Sequence, residues 1–282
     1  MSDAMSEADR LPVPAGLYPV GSDEHYPEER PARSVRVDGF RLDRAPVTNR
    51  RFAAFVAATG YVTEAERSDP AGGAVFSPTE GPVDLRRPAL WWRFVERASW
   101  QAPEGPGSSI TDRLDHPVVL VTRADAEAFC AHVGGRLPTE AEWESAARLG
   151  SREPGGPGDG VPMRNGVLLA NVWTGAFPYW FDGSARPEAA KRRGTSPVGA
   201  FPPSGPGFVD LIGNVWEWTA SPYRAAPAGG CCGAGPASGT LVALKGGSHL
   251  CAAEYCARYR PAARIGLPPD TATGHVGFRC AY

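Results

Sequence analysis

ALKGGSHLCAAEYCARYRPAAR, residues 243–264, is the stretch on which the reading of this chain turns. It holds Cys251 and Cys256, with Gly246-Gly247 and Ser248 just ahead of the first and Tyr255, Arg258, Tyr259 and Arg260 around and after the second. Two thiols this close suit a soft metal ion, a disulfide or redox chemistry. The spacing leaves all three open. It is not the CxxC of a thioredoxin-like site or a zinc knuckle, and no second Cys/His pair lies nearby to complete a tetrahedral site.

Working outward, the preceding motif is DLIGNVWEWT, 210–219. Gly213-Asn214 reads as a turn, and the extended chain after it sends Trp216 and Trp218 to one side and Glu217 to the other. A carboxylate among turn carbonyls suits a hard cation such as calcium; the competing reading is an ion pair with an arginine of the core. The Gly-rich patch at 229–235 carries Cys231-Cys232. Neighbouring cysteines are strained as a disulfide, and no role is assigned to them.

Further upstream the signals are local. Residues 179–193 read as a solvated loop with a basic end, Lys191, Arg192 and Arg193, and 150–168 as Gly/Pro-rich turns. In GGRLPTEAEWESAAR, 134–148, Thr139 and Glu142 form a capping box that starts a helix with Trp143, Ala146 and Ala147 facing the core. Glu140, Glu142 and Glu144 then favour the helix dipole and need no catalytic role. Thr122 with Asp125 begins the preceding helix, through Ala126, Phe129, Cys130 and Val133, and Gly134-Gly135 closes it. Pro117–Val121 reads as a strand.

Trp91, Trp92 and Trp100 need burial, as core or as the lining of a groove. Thr48 or Asn49 caps a helix that buries Phe52, Phe55 and Val56 and stops at Gly60. Ser34–Asp38 and Phe40–Asp43 read as strands about a tight turn at Asp38-Gly39. Residues 1–10 read as a loose tail.

The chain has 282 residues, 34 Gly and 29 Pro, and 42% hydrophobic residues. Gly and Pro stand well above their average share of roughly 12%, so much irregular backbone is expected in a folded protein. The net charge of −2 favours neither nucleic acid nor an anionic membrane. No apolar run spans a membrane, and the polar, acidic MSDAMSEADRLPVPAG lacks the core of a signal peptide, so a cytoplasmic location is expected.

KGGSHLCAAEYCARYRPAAR, GGRLPTEAEWESAAR, DLIGNVWEWT and GHVGFRCA (274–281) together resemble the formylglycine-generating enzymes, the sulfatase-modifying factors, in the order found in that family. The likeness runs from about Pro14 to the C-terminus. It implies a single α+β domain over 11–282, C-type-lectin-like, with few short strands and much irregular structure.

The resemblance also implies an activity: a copper-dependent oxidase that converts the cysteine of a Cys-X-Pro-X-Arg segment in an unfolded sulfatase to Cα-formylglycine, using O2 and a thiol reductant. Cys251 and Cys256 would hold Cu(I), since soft thiolates select this monovalent ion and leave room for a substrate thiolate. Ser248 would sit beside the oxygen pocket, Trp216 would line the site, and Tyr255 would stand in the same shell. A structural calcium would be held by Asp210, Gly213, Val215 and Glu217, partly through backbone carbonyls. A second would use Asn171 and Val172, with further ligands in the altered 179–193 loop, where Asp182 is the only acid early in the loop. The acids that hold the substrate arginine in the family are not placed here: Pro46 and Gly72-Gly73 stand at the matching positions. A monomer is expected.

Cys130 and Cys280 match positions that form a disulfide in secretory relatives, while Ala147 and Pro261 stand where a second bridge would be. Three rival readings remain. One is a non-catalytic protein-binding module of this fold with a structural Cys251–Cys256 disulfide. Another is an iron-dependent oxidase, which needs a paired-histidine site that His25, His116, His132, His249 and His275 do not spell out. The third is a Cys–His hydrolase using His249 or His275.

Overall fold

The computed structural model describes residues 9–149, 162–165, 167–224 and 241–282. Cys231-Cys232 and most of the expected tail lie outside these residues. β1 (Arg10–Val13) pairs antiparallel with β4 (Phe40–Asp43). β2 (Gly16–Val20) pairs with β3 (Arg33–Val37). Both strands flanking Asp38-Gly39 therefore exist, but they do not form a hairpin with each other. Val37, Phe40 and Leu42 are instead drawn into one cluster with Trp143, Ala146 and Phe208, so each strand finds its ladder with an earlier segment.

The helices start where local capping places them. α1 (Asn49–Thr59) has Thr48 as its N-cap, with Thr48 Oγ1 accepting from the Arg51 amide, and ends at left-handed Gly60. Phe52 and Phe55 are buried on it. After α2 (Glu64–Arg67), β5 (Gly72–Phe76) pairs with β6 (Trp92–Glu96). α3 (Arg123–His132) opens with the Thr122/Asp125 capping box. α4 (Glu140–Leu149) opens with Thr139 Oγ1 accepting from the Glu142 amide at 3.2 Å and the Glu142 carboxylate accepting from the Thr139 amide at 2.7 Å. β7 (Met163–Arg164) and β8 (Val167–Leu168) make a short pair.

The remaining strands build a four-stranded sheet in the order β11 (Arg264–Leu267), β10 (Val242–Lys245), β9 (Trp216–Pro222), β12 (Val276–Gly277), with β12 parallel to β9 and the other pairs antiparallel. Trp216 and Trp218 enter the main core with Phe52, Phe129 and Phe278, while Glu217 turns the other way to Trp143. Truncating such a buried aromatic to Ala costs about 3–5 kcal/mol.

Two expectations change. Pro117–Val121 is buried but joins no sheet, because Leu120 turns the chain at φ 58°; its Val118 and Leu120 amides bond to the Val47 and Thr273 carbonyls. Of the three acids of α4, Glu142 serves the cap and Arg136, as local chemistry dictates. Glu144 is buried with Lys245 at 2.9 Å and Arg148 at 2.7 Å, and it accepts from the Gly21 amide at 2.8 Å. Glu140 reaches Arg264 at 3.0 Å. These two bind α4 to β10, β11 and the end of β2, which is more than a dipole effect. Among the described residues no helix is long and apolar enough to cross a membrane.

Candidate active site

β10 ends at Lys245, and the chain then turns through Gly246 and Gly247 at φ 97° and 76°. The second glycine is forced by space as well as conformation: a Cβ there would stand 2.4 Å from the Arg258 carbonyl oxygen. The turn places Ser248 under the cysteines. Its carbonyl accepts from the Cys251 amide at 2.9 Å, its amide donates to Cys251 Sγ at 3.4 Å, and its Oγ accepts from the Leu250 amide at 3.2 Å. A further turn bonds the Cys256 amide to the Ala252 carbonyl at 2.8 Å. The two turns bring the sulfurs of Cys251 and Cys256 to 3.7 Å as free thiols, well beyond a disulfide bond of ~2.05 Å.

The pair is electrically asymmetric. Cys256 is half-buried, with Arg258 Nη1 3.7 Å from its sulfur. The hydrogen bond from Cys251, aided by the Arg258 charge, pulls Cys256 down to about 6. Burial and the proton donated to Cys256 push Cys251 well up. Two groups coupled this way titrate as a pair.

Arg258 is itself fixed from the far end of the chain. Glu28, in a 3-10 turn over Pro27–Glu29, accepts from Arg258 Nε at 2.8 Å and Nη2 at 2.5 Å, and Arg260 pairs with Glu29. The Tyr26 ring lies 3.8 Å from the Arg258 guanidinium. Sequence reasoning missed Tyr26, Glu28 and Glu29. The available signal was charge: Glu28-Glu29 against Arg258 and Arg260.

The other expected residues gather on two sides. Trp216 is buried and shares the main core with Cys251 and Tyr259. Tyr255 stacks on Phe177, centroids 4.8 Å apart, and meets Trp91 edge-on at 5.4 Å, within a separate aromatic cluster that includes Leu250 and Ala252. Trp91 and Trp100 are core; Trp92 is half-buried, its ring 4.7 Å from that of His275. A cavity of about 360 Å3 opens beside His249, lined by Phe76, Glu104, Asp112, His116 and Arg193 among others. His249 Nδ1 is 2.9 Å from the Asn214 carbonyl, and burial takes the ring down to about 4 and that of His275 to about 3. Both are neutral at physiological pH. Among the described residues no three His, Cys, Asp or Glu side chains converge as a metal centre.

The calcium expectations divide. Asp210 is buried at positive φ; its Oδ2 accepts from the Gly199 amide at 2.7 Å while Oδ1 has no hydrogen-bond partner among the described residues. Burial raises its carboxyl to about 6. An orphaned buried carboxylate oxygen beside the Gly213 turn fits a hard cation. Glu217 is already committed: Oε1 and Oε2 each accept from Arg279 at 2.8 Å, and Oε2 accepts from Trp143 Nε1 at 2.7 Å. Its competing reading, a pair with a core arginine, is what the fold builds.

The second site, at Asn171 and Val172, does not fit calcium. The Arg186 guanidinium donates to Asn171 Oδ1 at 2.7 Å and also to the Val172 carbonyl, covering both expected ligands with a positive charge. Asp182 points elsewhere, accepting from the Ser184 amide. Cys130 and Cys280 are buried free thiols whose sulfurs stand 2.7 Å apart.

Residues 1–282 match the sulfatase-modifying factor enzyme 1-like domain. The chain is 49% identical over 291 residues to the formylglycine-generating enzyme of Mycobacterium tuberculosis, covering 95% of each. It is 40% identical to the inactive C-alpha-formylglycine-generating enzyme 2 of Bos taurus, covering 95% of this chain and 86% of that one. Among solved structures, PvdO from Pseudomonas aeruginosa matches with a TM-score of 0.61 at 23% identity, over 96% of this chain and 93% of the other, which speaks for the fold alone. A match across the whole length and an identity of this order, on a fold that brings the two cysteines of the specific motif together, mean that the chain belongs to the sulfatase-modifying factor family, among the formylglycine-generating enzymes.

Proposed function

We propose that this protein oxidises the cysteine of a Cys-X-Pro-X-Arg segment, presented by an unfolded sulfatase, to Cα-formylglycine at a Cu(I) site formed by Cys251 and Cys256. The observation that carries the proposal is the pair of free sulfurs 3.7 Å apart with one already biased toward thiolate. Two thiolates are the donor set a soft monovalent ion selects. When bound, copper would supply a redox centre open to a substrate thiolate and O2.

If O2 is reduced fully to water, the electron count calls for a second reductant. Cysteine to aldehyde is a two-electron oxidation, and O2 takes up four electrons. A thiol reductant supplies the other pair, leaving aldehyde, hydrogen sulfide, a disulfide and water. The protein's own groups prepare the site. Arg258, held by Glu28, stabilises the Cys256 thiolate. Ser248 fixes Cys251 through its amide and carbonyl. Trp216 closes the buried side, and Tyr255 with Trp91 and Phe177 forms a rigid apolar flank. A calcium ion at Asp210, with the carbonyls of Gly213 and Val215 and without Glu217, belongs to the same proposal.

The second reading is a non-catalytic module with a Cys251–Cys256 disulfide, favoured by the 40% identity to the inactive relative. One experiment separates the two: purified protein, Cu(I), a thiol reductant, O2 and a Cys-X-Pro-X-Arg peptide, with aldehyde sought by mass spectrometry. Aldehyde supports the enzyme. Unchanged peptide with protein that takes up no copper favours the module.

A further inference from the structure

Arg186 is a buried cation, 5% exposed. Among the described residues no carboxylate comes into contact with it; Asp182 acts on it only from a distance. Its guanidinium faces neutral oxygens: Asn171 Oδ1 at 2.7 Å, the Val172 carbonyl, the Ala190 carbonyl at 3.4 Å and Thr174 Oγ1 at 3.4 Å. The Phe181 ring lies 4.5 Å away. A full charge is costly to bury unless its surroundings are arranged to receive it. Here they are. Asn171 Nδ2 donates to the Gly194 carbonyl at 3.0 Å, to Ser196 Oγ at 3.1 Å and to Asn214 Oδ1 at 3.2 Å, which fixes the amide with Oδ1 toward Arg186. Oxygens of amides and carbonyls, with no acid among them, are also what a hard cation collects around itself.

We infer that Arg186 is a built-in cation which fills the Asn171/Val172 oxygen site, so that this chain needs no metal ion there. A tethered guanidinium holds the 171–196 segment closed without a diffusible ligand. Its planar fork meets several oxygens at once, which a lysine ammonium on a flexible stem does not. The segment carries Arg192, Arg193, Gly194 and Thr195 to the wall of the cavity beside His249, so the geometry of that wall becomes independent of calcium. The inference uses the calcium expectation but not the copper chemistry, and neither readout below involves turnover.

The test counts calcium and follows thermal unfolding. In the Asp210→Asn protein, which lacks the other candidate cation site, equilibrium dialysis against calcium should find no tightly bound ion, and neither calcium nor a chelator should shift Tm. Stoichiometric calcium in Asp210→Asn would overturn the inference. Arg186→Met keeps the apolar stem and removes the charge, so the Asn171 and Val172 oxygens lose their donor. Its Tm should fall by roughly 5 °C. Millimolar guanidinium or calcium should recover part of that loss in Arg186→Met and leave wild type unchanged, as a ligand of the native state must. A wild-type Tm for Arg186→Met, or a loss that neither cation recovers, would show that the charge does not fill a cation site. If Arg186→Met does not fold, the dialysis of Asp210→Asn still decides.

Discussion

Glu28 and Arg258 lie 230 residues apart in the chain and meet at 2.5 Å, and the same guanidinium reaches the sulfur of Cys256. A carboxylate near the N-terminus thereby fixes the charge that sets up a thiolate near the C-terminus. Buried hydrogen bonds between charged groups are the strong ones, so this clamp is expected to be rigid.

Copper loading follows from the sulfur pair. Wild type should bind one Cu(I) per chain with a sulfur-only first shell by X-ray absorption. Cys251→Ser and Cys256→Ser should each lose affinity beyond the ~10–100-fold that losing a supporting hydrogen bond costs a metal site. Both should lose turnover, while Cys130→Ser keeps its copper. Wild-type turnover in both serine variants would remove the proposed site.

In the copper-free protein, Cys256 should be the reactive thiol. Its thiolate is held down to about 6, so alkylation should be fast at pH 7 and fade as pH drops through about 6. Cys251, pushed up by burial and by its bond to Cys256, should react slowly throughout. Arg258→Gln should move the Cys256 profile upward. Mass spectrometry of alkylated peptides across pH reads each cysteine separately, and equal labelling of both at pH 7 would contradict the asymmetry.

Asp210 should give calcium its pH dependence. Its folded pKa is raised from 3.8 to about 6. The stability it contributes is full below the unfolded value and is lost as pH rises through the folded value, a change on the order of 3 kcal/mol. Apo protein should therefore lose this contribution between about pH 4 and pH 6, and calcium should restore stability at pH 7 by binding the ionised form. Asp210→Asn should flatten both effects. Thermal melts with and without chelator at the two ends of that window check it.

Glu217→Ala should destabilise by about 3–5 kcal/mol whether or not calcium is present, because it strands the buried Arg279. Replacing both partners, Glu217→Leu with Arg279→Met, should cost less than the two single changes added together. Urea melts of the four proteins give the coupling. Additive losses would mean that the pair does not act as a unit.

The sequence by itself determined what is decided within a few residues. Thr48, Thr122 and Thr139 start their helices, and Gly60 stops the first, because each cap hydrogen bond closes over three or four positions. Gly246-Gly247 and the five-residue Cys spacing determined the turn that joins the sulfurs, and the alternation in WEW determined which way Glu217 faces. Only the tertiary structure decided which partner each of these groups meets. Asp38-Gly39 had the chemistry of a hairpin turn, yet β3 and β4 pair elsewhere, since burial against Trp143 outweighs a local turn preference. Glu217 suited calcium somewhat better than arginine until β12 and the segment after it brought Arg279 alongside. Asn171 looked like a calcium ligand until the 179–193 loop folded Arg186 onto it. A buried charge takes whichever counter-group the topology delivers, and that delivery spans tens to hundreds of residues, a distance over which local spacing carries no information.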